Sequence, residues 1–397
     1  MAKHNKLNGL QGIPVPKKSE FNFIDIFAGA GGLSCGMEMA GMTCVLGIDA
    51  DKHAMNTFAH NHKKAEVFCG DVRKLTKQEL KKLTNNKKIH AVVGGPPCQG
   101  FSTVGLGNPD DIRNSLFKQF VRIVKETNPD FVVIENVTGM LAKKNESTLK
   151  SILKCFNKMG YQMDVRVLSA QEYGVPEMRR RTILIGNKIG SDIVFPVITH
   201  GTKKKPVLTV AEALADIKDK KGNLHNHDLE TAMLPSDLDE KRLARIPEGC
   251  GIRYEKDEKK YLTKALSLGV DWKNLREGRF RQTKYFRLDG KKPSPTIMTH
   301  RHSYYHPKEI RYLTQREAAR LQSFPNDFVF FGPLSSQWRQ IGNAVPPLLG
   351  KAIAQAIFKM VNAKKSVKSK KDIEATITQV RGSAFMYRST GMAAKSK

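Results

Sequence analysis

The 397-residue chain has room for one large domain and a smaller one, each with its own core. Its 40% hydrophobic content fits a globular protein; the sequence shows no apolar run read as a membrane span, and MAKHNKLNGLQGIPVPKKSE lacks the apolar core of a secretory signal. A formal charge of +29, from 67 Lys+Arg against 38 Asp+Glu, points to a polyanionic partner, nucleic acid before membrane.

From Phe21 to about Asn187, short β-rich runs alternate with segments of helical composition. FNFIDIF reads as a buried first strand. At its end, Asp25-Ile26-Phe27-Ala28-Gly29-Ala30-Gly31-Gly32 opens a helix over LSCGMEMA. Glycines there let backbone approach a ligand closely, and a helix N-terminus favours a carboxylate or phosphate. The second strand, TCVLGI, runs into Asp49, an acid placed to bind a ribose hydroxyl pair. The third, AEVFC, leads to Asp71, which could accept from an adenine amino group. A helix N-cap is the other reading of each acid. The glycine spacing is GxGG, Ser34 replaces the later glycine of the dinucleotide fingerprint, and no P-loop lysine is present, which disfavours NAD and ATP. Adenosine plus a carboxylate describes S-adenosylmethionine as well as a nucleotide.

After a helical KQELKKL, the buried strand IHAVVGG leads into GGPPCQGFS, residues 94–102. Two glycines end the strand and two prolines stiffen the segment after them. Cys98 is thus held at the carboxyl end of a strand, where open α/β sheets bind ligands, a suitable place for a nucleophile. The six cysteines (Cys35, Cys44, Cys69, Cys98, Cys155, Cys250) form no CxxC pair, which argues against zinc, against a disulfide framework and for a reducing compartment. The glycine-bearing QGFSTVGLGNPDDIRN predicts a mobile loop that closes over the site.

Helical LFKQFVRIVKE precedes the strand DFVVIE, which delivers Glu135-Asn136-Val137 to the same sheet edge as Cys98. A carboxyl there is partly desolvated, which favours a proton donor. Helical STLKSILKCFNKM and the strand MDVRVL come next. In YGVPEMRRR, leading into RTILIG, Arg179 and Arg181 share a face if that piece is extended. Paired arginines suit a base carbonyl, carboxylate or phosphate. The alternation implies an α/β fold: a doubly wound, mainly parallel sheet with helices on both faces. From about Lys188 to Glu309 the pattern breaks into a basic, loop-rich module; RFRQTKYFRLDG and IMTHRHSYYHP within it carry residue types suited to base edges and phosphates. Helical composition returns at LTQREAARLQ and PPLLGKAIAQAIFKMV. The lysine-rich stretch from Asn362 reads as a flexible or loosely docked tail.

Taken together, DIFAGAGGLS, GGPPCQGFS, ENV, PEMRRR, RYLTQREAARLQSFP and QIGNAVPP, in this order, resemble the cytosine-5 DNA methyltransferases, with the compact layout of stand-alone bacterial modification enzymes of restriction-modification systems. The resemblance implies a catalytic domain of the S-adenosylmethionine-dependent methyltransferase type, a smaller target-recognition domain, and double-stranded DNA bound between them. It implies a basic arm over 1–20, a catalytic and cofactor domain over 21–187, a target-recognition domain over 188–309, a return segment over 310–361 and a basic tail over 362–397. By motif match, Phe27, Gly29, Gly31, Asp49, Asp71, Pro97, Leu116 and Asn343 would hold S-adenosylmethionine. Cys98 would be the nucleophile, Glu135 the acid on the target base, and Arg179 and Arg181 supports of the cytosine pocket. Gln99, Ser102, Thr296 and Arg301 would touch DNA, and no metal is called for. A monomer is implied, cytoplasmic and on DNA, with a restriction endonuclease acting on the same site without stable binding.

Two positions depart from the family pattern. Glu177 stands where Gln is usual, and an acid there can pair with Arg179 or Arg181. Ala50 follows Asp49 where an aromatic often stacks on adenine, which would weaken cofactor affinity. Three other readings compete. The tRNA-directed branch of the family carries a Cys-Phe-Thr motif in its second domain; here the module's one cysteine is Cys250, in PEGCGIRY. An inactive DNA-binding relative is opposed by intact Cys98, Glu135 and Arg181. A nicotinamide-dependent oxidoreductase is the most distant.

Overall fold

The structure, a computed structural model, describes residues 21–97, 112–217, 224–363 and 372–382, with backbone only for 112–115. They fall into two compact units, one from residues within 1–173, 180–199 and 345–397, the other from 174–179 and 200–344. Compactness thus groups 310–344 with the second unit and 345–361 with the first, so the expected return segment spans both.

In chain order the first unit has β1 (Asn22–Ile26), α1 (Gly32–Met39), β2 (Thr43–Asp49), α2 (Lys52–Asn61), β3 (Glu66–Cys69), α3 (Lys77–Leu83), β4 (Ala91–Gly94), α4 (Ile112–Thr127), β5 (Phe131–Val137), α5 (Glu146–Lys158) and β6 (Gln162–Ser169). The two-residue β7 (Glu177–Met178) belongs to the second unit, and β8 (Arg180–Asn187) to the first. Every apolar run read as a strand forms one. α2 was not among the helical segments read from composition. Its sequence, KHAMNTFAHN, is polar overall, yet Ala54, Met55, Thr57 and Phe58 make a buried face. Asp51 starts it by accepting the N–H groups of His53 and Ala54 at 2.9 and 3.1 Å.

The seven strands lie in the order β3-β2-β1-β4-β5-β8-β6. β3 to β5 are parallel, and β8 runs antiparallel to both its neighbours. The order steps outward from β1 to β3, then resumes at β4 on the other side of β1. The carboxyl ends of β1 and β4 therefore diverge, forming a topological switch point. Helices cover both faces of the sheet, so the central strands are apolar without alternation. Ile24, Ile26, Leu46, Ile48, Val92, Val132 and Ile134 join Phe120 and Phe156 in one core.

The second unit contains β7, α6 (Val210–Leu214), α7 (Asp237–Ala244), β9 (Ile252–Tyr254), α8 (Glu255–Tyr261), β10 (Arg279–Lys284), β11 (Ser294–Pro295), α9 (Gln315–Leu321) and α10 (Leu334–Asn343). Its sheets are two-stranded pairs, β9 with β10 and β7 with β11. Two small apolar clusters form around Leu243 with Tyr305 and around Ile252 with Trp272. A loop-rich unit has carbonyls that no helix or strand satisfies, and a guanidinium supplies five donors. Arg316, fully buried, donates to the carbonyls of His225, Pro325 and Phe328 at 2.9, 2.8 and 2.5 Å. Burial pushes it down to about 10. Arg287 likewise donates to Ile246 and Pro307 at 3.1 and 2.7 Å.

α11 (Pro347–Val361) returns to the first unit and packs on α1. A Cβ on Gly36 would fall 2.0 Å from the Pro347 carbonyl oxygen, and one on Gly350 2.8 Å from that of Leu33, so only glycine permits this approach. The stretch 334–361 is long and apolar enough by composition to cross a membrane, contrary to the sequence reading. It is nevertheless two helices broken at Ala344-Val345-Pro346, and its most apolar window is 67% buried in the protein. The expected loose tail is also corrected in its described part. Residues 373–382 form a helix whose Ile377 and Val380 enter the core beside α5. Arg381 donates to the Leu141 carbonyl at 3.1 Å and pairs with Glu146, and Lys150 pairs with Glu374 at 2.7 Å.

Asp25, buried on β1, accepts the Ser34 hydroxyl at 2.6 Å. Burial, opposed by that hydrogen bond and aided by Asp49 and Glu38, pushes its carboxyl from 3.8 up to about 7. Between those values the folded protein holds a proton that the unfolded chain has released, so stability falls as pH rises through this window. Asp25→Asn keeps an acceptor for Ser34. Urea titrations are expected to show it more stable than wild type by about 2–4 kcal/mol at about pH 8, with the gain gone below about pH 4.

Candidate active site

The first part of the site forms at the ends of β1, β2 and β3. Phe27 leaves β1 in the left-handed region, at φ 62°, a conformation that a bulky residue rarely adopts. Its N–H and that of Ala28 both donate to the Ile48 carbonyl, at 2.8 and 3.1 Å. The Gly29 N–H donates to Asp49 Oδ2 at 2.9 Å, and Asp49 Oδ1 accepts from the Asp51 N–H at 2.9 Å. Phe27, Gly29, Gly31 and Asp49 are thereby brought together, with the Asp49 carboxylate bracing the glycine loop. Each of its oxygens keeps a further lone pair for a ligand hydroxyl. Ala50, next in sequence, is exposed.

The Gly70 N–H donates to the Asp49 carbonyl at 2.9 Å, which sets Asp71 beside this loop. Asp71 caps the turn Val72–Lys74, accepting the Arg73 N–H at 2.9 Å, and Arg73 Nε and Nη2 fork onto its carboxylate at 2.8 and 2.5 Å. These bonds from Arg73 hold the carboxyl down at about 2. The capping role weighed for Asp71 is therefore filled, and any ligand contact must use its remaining lone pairs. Leu116, half-buried on α4, packs against the core.

The second part forms where β4 and β5 end together. Gly94 pairs with Ile26 on one side and Ile134 on the other. Beyond it, Asn136 Nδ2 donates to the Pro96 carbonyl at 3.0 Å, which pins the Gly95-Pro96-Pro97 turn to the end of β5. A Cβ on Gly95 would lie 3.0 Å from Glu135 Oε2, so the acid rests against this turn. Arg181, on the neighbouring β8, reaches Glu135 Oε1 with its Nε at 2.8 Å; the two side chains are 14% and 13% exposed. Pro97 is exposed. Cys98, Gln99 and Ser102 lie outside the described residues, as does the expected mobile loop up to residue 111; its last three residues, 112–114, are instead the first turn of α4.

Arg179 and Arg181 are divided between the units. Arg179, fully buried in the second, donates Nη2 to the Gly342 carbonyl at 2.9 Å and lies 3.7 Å from Glu177. Of the two arginines that Glu177 could pair with, it faces Arg179. Its Oε1 also accepts the Ile297 N–H at 2.5 Å. Thr296 donates Oγ1 to the Met178 carbonyl at 3.1 Å, and Asn343, after Gly342, is exposed. Arg301 donates to the Thr231 carbonyl at 2.6 Å and lies over the Tyr312 ring. The sequence reading missed Asn136 as the pin of the turn, and missed Glu38, Phe58 and His62 under the glycine loop. The N in ENV was visible, but the last three had no local signal, since they act across α1 and α2.

The family model described as C-5 cytosine-specific DNA methylase matches residues 21–359. The type II methyltransferase M1.HphI of Haemophilus parahaemolyticus is 36% identical over 345 residues, covering 85% of this chain and 87% of the relative. M.DdeI of Desulfomicrobium norvegicum, also a type II methyltransferase, is 33% identical, covering 85% and 88%. Among solved structures, a prophage-encoded E. coli protein described as a DNA modification methyltransferase superposes with a TM-score of 0.66 at 29% identity, covering 86% of this chain and all of that one. The S. pombe Dnmt2 methyltransferase, at 17% identity, TM-score 0.59 and coverage of 86% and 100%, shares the fold.

Removing one member of the Glu135–Arg181 pair strands a poorly solvated charge. Arg181→Ala is expected to lower unfolding free energy by about 2–3 kcal/mol. A double-mutant cycle with Glu135→Gln should return a coupling energy of about 1–3 kcal/mol in urea denaturation.

Proposed function

Because the chain belongs to the C-5 cytosine-specific DNA methylase family, we propose that it methylates carbon 5 of a flipped-out cytosine through a covalent bond to Cys98, with S-adenosylmethionine as the donor. It is a DNA (cytosine-5-)-methyltransferase of the type II restriction-modification kind. The observation that carries the finer reading is the Glu135 carboxylate against the turn that leads into Cys98, with Arg181 paired to it.

Carbon 5 of cytosine is a poor nucleophile. A thiolate adding at carbon 6 makes carbon 5 electron-rich, which is the work assigned to Cys98. Glu135 would hydrogen-bond the ring nitrogen and exocyclic amine as charge shifts onto the ring, with Arg181 orienting its carboxyl. After methylation, a base removes the carbon-5 proton and the cysteine leaves. None of this can occur inside a stacked duplex, so the base must be flipped out at a cost of a few kcal/mol, which basic contacts to phosphate offset.

Bound S-adenosylmethionine supplies an electrophilic methyl on its sulfonium. The residues at the switch point fit it. Gly29 and Gly31, at φ 55° and 90°, present backbone that side chains would cover, and Asp49 stands at the end of β2 for the ribose hydroxyls. Phe27, Asp71, Pro97, Leu116 and Asn343 are assigned to the same cofactor by motif match. Arg179 is assigned to support of the target base, and Gln99, Ser102, Thr296 and Arg301 to DNA contact. The second unit is read as the target-recognition unit. A monomer in the bacterial cytoplasm, sharing its site with a restriction endonuclease, completes the reading.

Labelled methyl transfer from S-adenosylmethionine, with unmethylated DNA and total tRNA in parallel, tests this. Wild type is expected to label DNA and Cys98→Ala to label neither. Label confined to tRNA would move the chain to the RNA-directed branch. Restoring an aromatic beside Asp49 gives a second test: Ala50→Trp is expected to tighten S-adenosylmethionine binding about three- to ten-fold in calorimetry, through stacking on adenine.

A further inference from the structure

The glycine loop rests on a side chain that the reaction does not use. Gly31, at φ 90°, sits on the ring of His62: a Cβ at Gly31 would fall 2.1 Å from His62 Nε2 and 2.8 Å from the Phe58 ring. Phe58 is itself slotted under Gly47, whose Cβ would lie 2.4 Å from it. The Phe58 and His62 rings pack with centroids 4.2 Å apart. His62 is 2% exposed and ends α2, its N–H bonded to the Phe58 carbonyl at 2.9 Å. Its Nδ1 lies 2.6 Å from Glu38 Oε2, on the far turn of the helix that Gly31 begins.

From this geometry we infer that His62, clamped by Glu38, is a positioning residue for the cofactor loop. The inference rests on the S-adenosylmethionine reading above. Beyond the Phe27 and Ala28 bonds to Ile48, the loop is held at two further points. The Asp49 carboxylate holds Gly29 from one side, and the His62 ring bears on Gly31 from below. α2 links the two, because Asp51, two residues after Asp49, caps its start and His62 ends it. The ring thus sets the height of Gly31 relative to Asp49, and so the width of the slot between backbone and carboxylate. Glu38 fixes the ring's rotation by accepting the Nδ1 proton. Supporting groups of this kind act on affinity through geometry without touching ligand.

The test uses the full chain and measures three quantities: the S-adenosylmethionine dissociation constant by calorimetry, kcat at saturating cofactor on DNA, and the melting temperature without cofactor. His62→Ala is expected to raise the dissociation constant about ten-fold, with kcat within about two-fold of wild type. Glu38→Ala should raise it about three-fold, and Glu38→Gln should restore it, because the amide oxygen still accepts the Nδ1 proton. Glu38, partly exposed, keeps the test open if His62→Ala does not fold. A lower melting temperature with an unchanged dissociation constant would reduce the pair to core packing and overturn the inference. A fall in kcat at saturation with unchanged binding would overturn it too. Wild type that binds no S-adenosylmethionine would overturn the cofactor reading and the inference with it; wild type that binds alongside unaffected variants overturns the inference alone.

Discussion

Backbone crowding where β1 and β4 part is the constraint on which the rest depends. A Cβ on Gly94 would fall 2.0 Å from the Ile26 carbonyl oxygen, so the strands can stay paired to their last residues only with glycine there. Because they stay paired, the loop after β1 and the turn after β4 start from the same point. One carries the glycines braced by Asp49, the other leads toward Cys98. The same economy of side chains lets α11 lie against α1 through Gly36 and Gly350, which backs the helix that the loop opens. Donor and acceptor of a methyl group must meet within a bond's reach, and a parallel sheet with a switch point provides that edge.

Charge is handled differently in the two units. In the first, Asp25 is buried on β1 against Ser34, and Glu135 pairs with Arg181 at the edge of the sheet. In the second, buried arginines serve as structure. Arg316 and Arg287 satisfy carbonyls, and Arg311 forks onto Glu317 at 2.8 Å. A unit with short strands and small apolar clusters has few other ways to pair the polar backbone of its long connections. The net charge of +29 remains a reason to expect a polyanion, but not every arginine in the basic module faces one.

The elements of the first unit were legible because they are buried on both faces. Runs such as FVVIE and RTILIG are apolar for lack of any solvent-facing side, and chain order then implies a parallel sheet. α2 was illegible because its apolar face is narrow. The helix over 373–382 was hidden by the lysine-rich run that precedes it, residues 364–371. Asp71 illustrates a further limit. Its place at the end of β3 could be read, but the fork from Arg73, two residues away, depends on rotamers that pattern does not specify.

The sequence by itself determined the fold class, the order of the strands' contents and the family, because these follow from local apolar runs and from short motifs whose residue types the chemistry demands. Tertiary structure alone decided which groups meet. It put Arg181 on Glu135 through the β5–β8 register, sent Arg179 to Gly342 and Glu177, tied Asn136 to Pro96, and slid His62 beneath Gly31. Those pairings are separated in sequence by up to 163 residues. Distances of that kind are set by how helices and strands stack, and no local periodicity records them.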